Sequence, residues 1–226
     1  MKLGILTSGG KDSLYAAYLA AKTHKLECLI SLKSENPESY MFHVPNVDLV
    51  ELQAKAMELP LVLEKTKGEK EKELEDLKRA LLIAKEKYGI KGIVSGALAS
   101  IYQKTRIENI CKKMDLASLI PLWEIDQEEY MEELIKKEFK VMIVGIAAHG
   151  LSNKEFLGKI IGEDILRKLR TAKEKYKINL AGEGGEFETL VLDCPLFKER
   201  LLIKKATKKI EKSYIGQYIV KEATLI

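Results

Sequence analysis

The chain has 226 residues, 46% of them hydrophobic and 32% charged, with a net charge of +4, which is apolar material enough for one sizeable core or for a core with an appendage. No apolar run approaches the ~18 residues of a membrane span, and the N-terminus passes straight into a strand without a signal peptide, so a cytoplasmic protein with no membrane partner is expected. Cys28, Cys111 and Cys194 are widely separated with no C-x-x-C pair, which argues against a zinc ribbon, a cysteine-ligated cluster or a disulfide framework, and so small a net charge gives no ground for a nucleic-acid partner.

Strand and helix signals alternate along the first two thirds of the chain. Lys2 to Thr7 reads as a short strand, and Leu14, Ala17, Tyr18 and Ala21 then recur at the spacing of one buried helix face. Leu26 to Leu32 is a second strand, Val47 to Leu59 a helix ended by Pro60, and Leu61 to Glu64 a third strand. A long helix is predicted from about Glu69 to Tyr88, with Leu74, Leu77, Leu81 and Ala84 inward and Gly89 as its stop. Ile90 to Gly96 is a fourth strand, Gln103 to Met114 a helix burying Ile107, Ile110 and Cys111, Gln127 to Phe139 another helix, and Val141 to Ala148 a strongly apolar strand. Repeated β–α units of this length imply an α/β fold, a parallel sheet flanked by helices, with ligands at the carboxyl ends of the strands. After about residue 150 the pattern changes. A helical stretch through Ile160, Ile161, Ile165, Leu166 and Leu169 precedes a Gly- and Glu-rich segment and three strand-like runs, Thr189 to Leu192, Leu201 to Ala206 and Tyr214 to Glu222. The expected division is a nucleotide-binding part over residues 1–145 and a smaller, substrate-facing α+β part over 146–226.

Two loops carry the chemistry. Ser8-Gly9-Gly10-Lys11-Asp12-Ser13 stands where the first strand becomes a helix. Such a turn aims backbone N–H groups and the positive end of a helix dipole at one point, where an anion binds. The glycines admit phosphate oxygens without Cβ interference, Lys11 adds a point charge and the serines offer hydroxyl donors. An ordinary polar turn capped by Asp12 or Ser8 is the plain alternative. The second loop, Gly182-Glu183-Gly184-Gly185-Glu186-Phe187-Glu188-Thr189, packs three carboxylates among three glycines. Crowded carboxylates repel unless a cation or donors sit among them, so the loop either holds a metal, a substrate cation or an amine, or is a solvated turn with its glutamates outward. His24, His43 and His149 lack the spacing of a histidine metal site, Trp123 reads as core, and the run from Lys204 to Lys209 reads as an exposed strand that also fits a large partner.

S-G-G-K-D-S resembles the pyrophosphate loop of the N-type ATP pyrophosphatases and matches neither the P-loop nor the dinucleotide fingerprint. Taken with E-G-G-E-F-E-T-L-V, D-C-P-L-F, Gly96-Ala97, Q-K-T-R-I-E-N-I-C, Pro121-Leu122-Trp123 and Leu157-Gly158-Lys159, it resembles the diphthine–ammonia ligase (diphthamide synthase) family over nearly the whole chain to about residue 197. The resemblance implies a Rossmann-like core of the adenine nucleotide α-hydrolase type. It also implies ATP-dependent amidation of diphthine, the modified histidine of translation elongation factor 2, by ammonia through an acyl-adenylate, with AMP and pyrophosphate released. Ser8, Gly9, Gly10, Lys11, Asp12, Ser13 and Gly96 would hold the nucleotide. Asp12 would bind Mg²⁺ or cap the helix, and Lys11, Asp12, Glu183, Glu186 and Glu188 would be catalytic. Tyr102, Gln103, Arg106, Glu108, Gly184, Gly185 and Thr189 would face the substrate. Lys104 departs from the Arg that many relatives carry after Gln, which puts a bidentate contact there in doubt. Modification of a tRNA base and nucleotide sensing without turnover are the alternatives, and a homo-oligomer is left open. The Lys- and Glu-rich balance, with four Gln and five Asn, is of the kind seen in thermophiles.

Overall fold

The computed structural model describes residues 1–34, 46–67 and 73–226. These form two compact units, Met1–Glu124 and Ile125–Ile226.

The first unit is a five-stranded parallel sheet in the order β3-β2-β1-β4-β5. Its strands are β1 (Lys2–Leu6), β2 (Lys25–Ser34), β3 (Leu61–Thr66), β4 (Gly92–Val94) and β5 (Ala117–Leu119), and its helices are α1 (Lys11–Ala21), α2 (Val50–Ala56), α3 (Glu73–Tyr88) and α4 (Ile101–Lys113). Alternation along β2 sends Cys28, Ile30 and Leu32 to one face, where they pack with Leu77, Leu81 and Ala84 of α3 and with Ile107, Ile110 and Cys111 of α4. Leu29, from the opposite face of β2, is equally buried. α1 lies against β1, β2 and β4, and α2 against β2. The strand order reverses between β1 and β4. In such sheets that reversal opens a crevice at the carboxyl ends, and the S-G-G-K-D-S loop leaves β1 there while residues 95–100 leave β4.

The second unit is antiparallel, in the order β7-β6-β9-β8. Its strands are β6 (Lys140–Ala147), β7 (Phe187–Asp193), β8 (Leu201–Lys212) and β9 (Ile215–Leu225), with helices α5 (Gln127–Lys136) and α6 (Glu163–Tyr176). Tyr130, Met131 and Leu134 of α5 and Leu166, Leu169 and Ala172 of α6 are buried, as are Val141, Ile143, Leu190 and Val191 of the sheet. Arg170 reaches from α6 to Glu128 and Glu132 of α5.

The α/β reading with a smaller C-terminal part is what the fold displays, but the boundary lies at residue 124/125 and not near 145. β6 pairs antiparallel with β7 and β9, so α5 and β6 open the second unit instead of closing the first. A continuous apolar strand after a helix looks the same in either setting, because its pattern records burial and not its neighbours. β5 is three half-buried residues and carries no strand signal. Ile160 and Ile161 stand outside α6, with Ile160 bridged to Met142. His43 and the start of the helix expected from Glu69 lie outside the described residues. Among the described residues no helix is long and apolar enough to cross a membrane.

Candidate active site

Gly9 adopts φ +86 and Gly10 caps α1 in an extended conformation (φ −81, ψ 168). A glycine cap has no side chain to cover the N–H groups of the first turn, which a helix cannot satisfy internally. The loop is fixed from behind by a chain of hydrogen bonds. The Gly9 N–H donates to Thr7 Oγ1 (2.9 Å), Thr7 Oγ1 lies 2.7 Å from Ser13 Oγ, and Ser13 Oγ donates to the Gly10 carbonyl (3.1 Å). Because a carbonyl only accepts, the Ser13 proton is committed to Gly10 and the Thr7 proton to Ser13. Ser13 thus braces the loop in this conformation, and Ser8, half-buried, stands at the turn. From α2, the fully buried Gln53 donates Nε2 to the Gly9 carbonyl (3.0 Å).

Lys11 is 2% exposed. Its Nζ lies 2.8 and 3.0 Å from the two oxygens of Asp12, whose side chain is about a third exposed. Asp12 is therefore not the helix cap, which is Gly10. Gly96, just beyond β4, packs on the first turn of α1 so closely that a Cβ there would lie 2.3 Å from the Asp12 carbonyl carbon and 2.4 Å from the Ser13 nitrogen. The crevice between β1 and β4 is thus floored by the buried Gly9 and Gly10 and the half-buried Gly96, with a lysine–aspartate pair beside it, a donor set that fits a polyphosphate. Among the described residues no three His, Cys, Asp or Glu side chains cluster as a metal site. Asp12 is the carboxylate at this turn that would hold a Mg²⁺ ion accompanying the phosphates.

α4 starts beyond Gly96, with Ser100 Oγ accepting from the Gln103 N–H (3.3 Å). The Arg106 guanidinium lies 3.4 Å above the Tyr102 ring, and Lys104 Nζ 4.0 Å above the Trp123 ring, so Trp123 is half-buried beneath a cation and not core. Glu108 is exposed farther along α4, where its charge acts on Cys111.

In the second unit, Asn179 organises the acidic loop. Its Oδ1 accepts from the Ala181 and Glu183 N–H groups (2.9 and 3.3 Å), its carbonyl accepts from Gly182 N–H, and its own N–H donates to Glu186 Oε1 (2.7 Å). Gly182 and Gly185 turn the chain with φ +75 and +83. Glu186 Oε2 is buried with no hydrogen-bond partner among the described residues. Glu183, Glu186 and Glu188 are all half-buried, so the loop is not a solvated turn with its glutamates outward. Alternation puts Glu186 and Glu188 on one side of β7 and the buried Phe187 and Thr189 on the other, so Thr189 is not brought to the carboxylates. A Cβ at Gly184 would meet the Glu186 carboxylate at 2.8 Å, while Gly185 is open. His149 is exposed and stacks on Tyr214, ring centroids 3.8 Å apart, and His24 bonds to Thr23.

Residues 1–118 match the family model of the diphthamide synthase N-terminal domain and residues 126–226 that of its C-terminal domain. The chain belongs to the diphthamide synthase family. The structural boundary between Glu124 and Ile125 falls in the short gap between the two matched segments. Curated relatives named diphthine–ammonia ligase include the rat and human proteins, each 36% identical, covering 90% of this chain and 83% of the relative. The fission-yeast ligase is 36% identical over 90% of this chain but 36% of its own, longer length. A solved chain described as a predicted tRNA methyltransferase subunit from Methanocaldococcus jannaschii aligns over 86% of this chain and 98% of that chain at 15% identity with TM-score 0.44, a likeness that carries no argument.

Within this family frame, Thr7, Gln53 and Asn179 are residues the sequence reading did not single out. Asn179 precedes the acidic loop by three residues, and Asn side chains fold back onto nearby N–H groups, so that signal was present. Gln53 lies 44 residues from Gly9, and nothing local announces that contact.

Burial pushes the Cys28 and Cys194 thiols up to about 12 and the Cys111 thiol to about 11. Such thiols are inert fillers and not nucleophiles.

Proposed function

We propose that this chain is an ATP-dependent amide-forming ligase that converts diphthine on translation elongation factor 2 to diphthamide, working in the cytoplasm with Mg²⁺ and ammonia. The observation that carries this reading is the match of both units to one family whose curated relatives are named diphthine–ammonia ligase. The first unit is the nucleotide part and the second the substrate part.

A carboxylate is a poor electrophile because oxide and hydroxide leave badly. In the first step a diphthine carboxylate oxygen attacks the α-phosphorus of ATP, and the bond to the bridging oxygen breaks with pyrophosphate leaving. The N–H groups of the α1 N-terminus that follow Gly10, with Lys11, offset the charge that grows on the leaving group. Mg²⁺ on Asp12 would supply further charge neutralisation across the phosphates. In the second step ammonia attacks the acyl carbon, AMP leaves with the bonding pair, and the nitrogen loses one proton. Glu186 suits that step: one carboxylate oxygen is anchored by the Asn179 N–H, and the other is buried and without a partner among the described residues. An oxygen so held can accept from an ammonium N–H and take its proton. Glu183 and Glu188 contribute negative charge in the same loop, and Tyr102, Gln103 and Arg106 are proposed to face the acceptor. Glu108, exposed farther along α4, and Thr189, buried on the opposite face, have the weakest claims.

The test is pyrophosphate release from ATP and Mg²⁺ with ammonium, with and without diphthine-bearing elongation factor 2, read alongside the acceptor's mass. Release that requires the acceptor, with hydroxyl exchanged for amino on it, is expected. Lys11→Ala should abolish release, whereas Glu186→Ala should impair amide formation and leave ATP binding largely intact. ATP binding with no acceptor-dependent turnover would refute the ligase in favour of a nucleotide sensor.

A further inference from the structure

Residues 198–226 hold eight Lys and Arg against three Asp and Glu, a net +5, whereas residues 1–197 hold 30 against 31, a net −1. The positive charge of this chain therefore resides in its last 29 residues, essentially the β8–β9 hairpin. β8 is an edge strand of 12 residues, about 40 Å long at the usual rise. From Thr207 to Ser213 every residue is exposed, so this end of the hairpin is uncovered on both faces. The hairpin turn is nevertheless firmly made. Asn153 is 7% exposed, donates Nδ2 to the Lys212 carbonyl and leaves room for nothing larger than glycine at 216, where a Cβ would lie 2.1 Å from its Oδ1.

Two of the strand's lysines have acidic neighbours, Lys209 with Glu211 at 3.5 Å and Lys205 opposite Glu222 in register. Among the described residues no ion pair engages Lys204, Lys208 or Lys212. Leu202, 44% exposed, precedes these cations on the strand, and Ile210, 57% exposed, stands between Lys208 and Lys212.

Lysines on an edge strand ordinarily serve to repel a second sheet. That purpose is met by one or two charges, and large apolar side chains exposed beside them work against it. An apolar contact with a basic surround is instead the composition of a protein-binding face. A nucleic-acid backbone would make no use of Ile210. Two copies of this chain pairing edge to edge would bring like charges together. We propose that the outer face of β8 docks the protein substrate of this enzyme, through an acidic surface lying near the residue to be amidated. The inference rests on the amidation reading above. In the sheet, β8 is three strand intervals from β7, about 14 Å, so a substrate held on β8 lies within one loop's reach of the strand that carries Glu188.

The test compares wild type with Lys204→Glu/Lys208→Glu/Lys212→Glu, on two acceptors, full-length diphthine-bearing elongation factor 2 and a short peptide carrying the same modified histidine. The Kd for the factor is measured separately, and circular dichroism verifies the fold. Reversing three exposed charges is expected to raise KM and Kd for the full-length factor about tenfold or more at low salt, with kcat and the peptide's KM unchanged. Added salt should weaken wild-type binding more steeply than that of the variant. Equal Kd values for the factor overturn the proposal, as does a variant whose only change is lost binding to transfer or ribosomal RNA, or a shift in oligomeric state with KM unaltered. If wild type amidates neither acceptor, the amidation reading fails on its own, and the docking surface stands or falls on the Kd comparison alone.

Discussion

Gly96→Ala is the substitution whose consequence the coordinates determine most directly. The added Cβ would lie 2.3 Å from the Asp12 carbonyl carbon, 2.4 Å from the Ser13 nitrogen and 2.6 Å from the Asp12 oxygen. All three are backbone atoms of the first turn of α1, so no rotamer change relieves the contact. Restoring an ordinary carbon–carbon separation of ~3.5 Å requires the turn to retreat by about 1.2 Å. Overpacking of this kind costs about 1–3 kcal/mol of stability. The functional loss should be larger in proportion, because the displaced turn is the one proposed to present N–H groups to phosphate, and a misplacement of about 1 Å costs on the order of a hundredfold in rate. The assay is pyrophosphate release under saturating ATP and acceptor, beside a urea melt. Gly162→Ala is the control, since its Cβ meets nothing within 4 Å; it touches only the cap of α6, at about 1 kcal/mol or less, and should leave release unaltered. A folded Gly96→Ala enzyme releasing pyrophosphate within a fewfold of wild type would refute the claim that this close approach builds the phosphate site.

Gln53→Leu removes the donor to the Gly9 carbonyl and should cost about 1–3 kcal/mol, the penalty of leaving a buried acceptor unmade, with a raised KM for ATP; an unshifted urea midpoint would count against it. Asn179→Ala frees the acidic loop, so amide formation should fall while ATP–pyrophosphate exchange persists. Asn179→Asp, which keeps the acceptor for the Ala181 and Glu183 N–H groups, should recover most of the loss, and failure to recover would reduce Asn179 to a packing role. Cys28, Cys111 and Cys194 should resist a thiol reagent at pH 8 until the chain is unfolded, and rapid native labelling of any one would contradict its burial. The same thiols ionise near 9 when unfolded but at about 11 to 12 when folded. The unfolded state therefore binds fewer protons above pH 9, and the contribution to stability that is full below 9 is lost as pH rises toward 12. Denaturation midpoints that rise over this range in wild type relative to a Cys28→Ala/Cys194→Ala variant would reverse that sign.

Much of this protein was legible in its residues because the signals are local. Helix periodicity, glycine stops and the strand–glycine–helix transition at Ser8–Ser13 depend on neighbours within a turn or two, and the chain states them directly. The loops on which both half-reactions are proposed to rest were visible for the same reason, as dense runs of glycine with charge. Pairing between distant segments has no such record. Whether Val141–Ala148 joins a parallel or an antiparallel sheet depends on partners 41 to 50 and 68 to 72 residues away, and the apolar pattern is indifferent to the answer, so the boundary fell about twenty residues too late. The assignment of hydrogen bonds is equally nonlocal. The bonds by which Ser13 accepts from Thr7 and donates to the Gly10 carbonyl leave no local trace, and Gln53 was one polar residue in a helix until burial placed it on Gly9. Sequence by itself determined which elements form and which chemistry the loops can perform, since these follow from residue type and short spacing. Only the tertiary structure decided which groups brace the site and which are left facing it, because that depends on which distant partner satisfies each buried polar atom first.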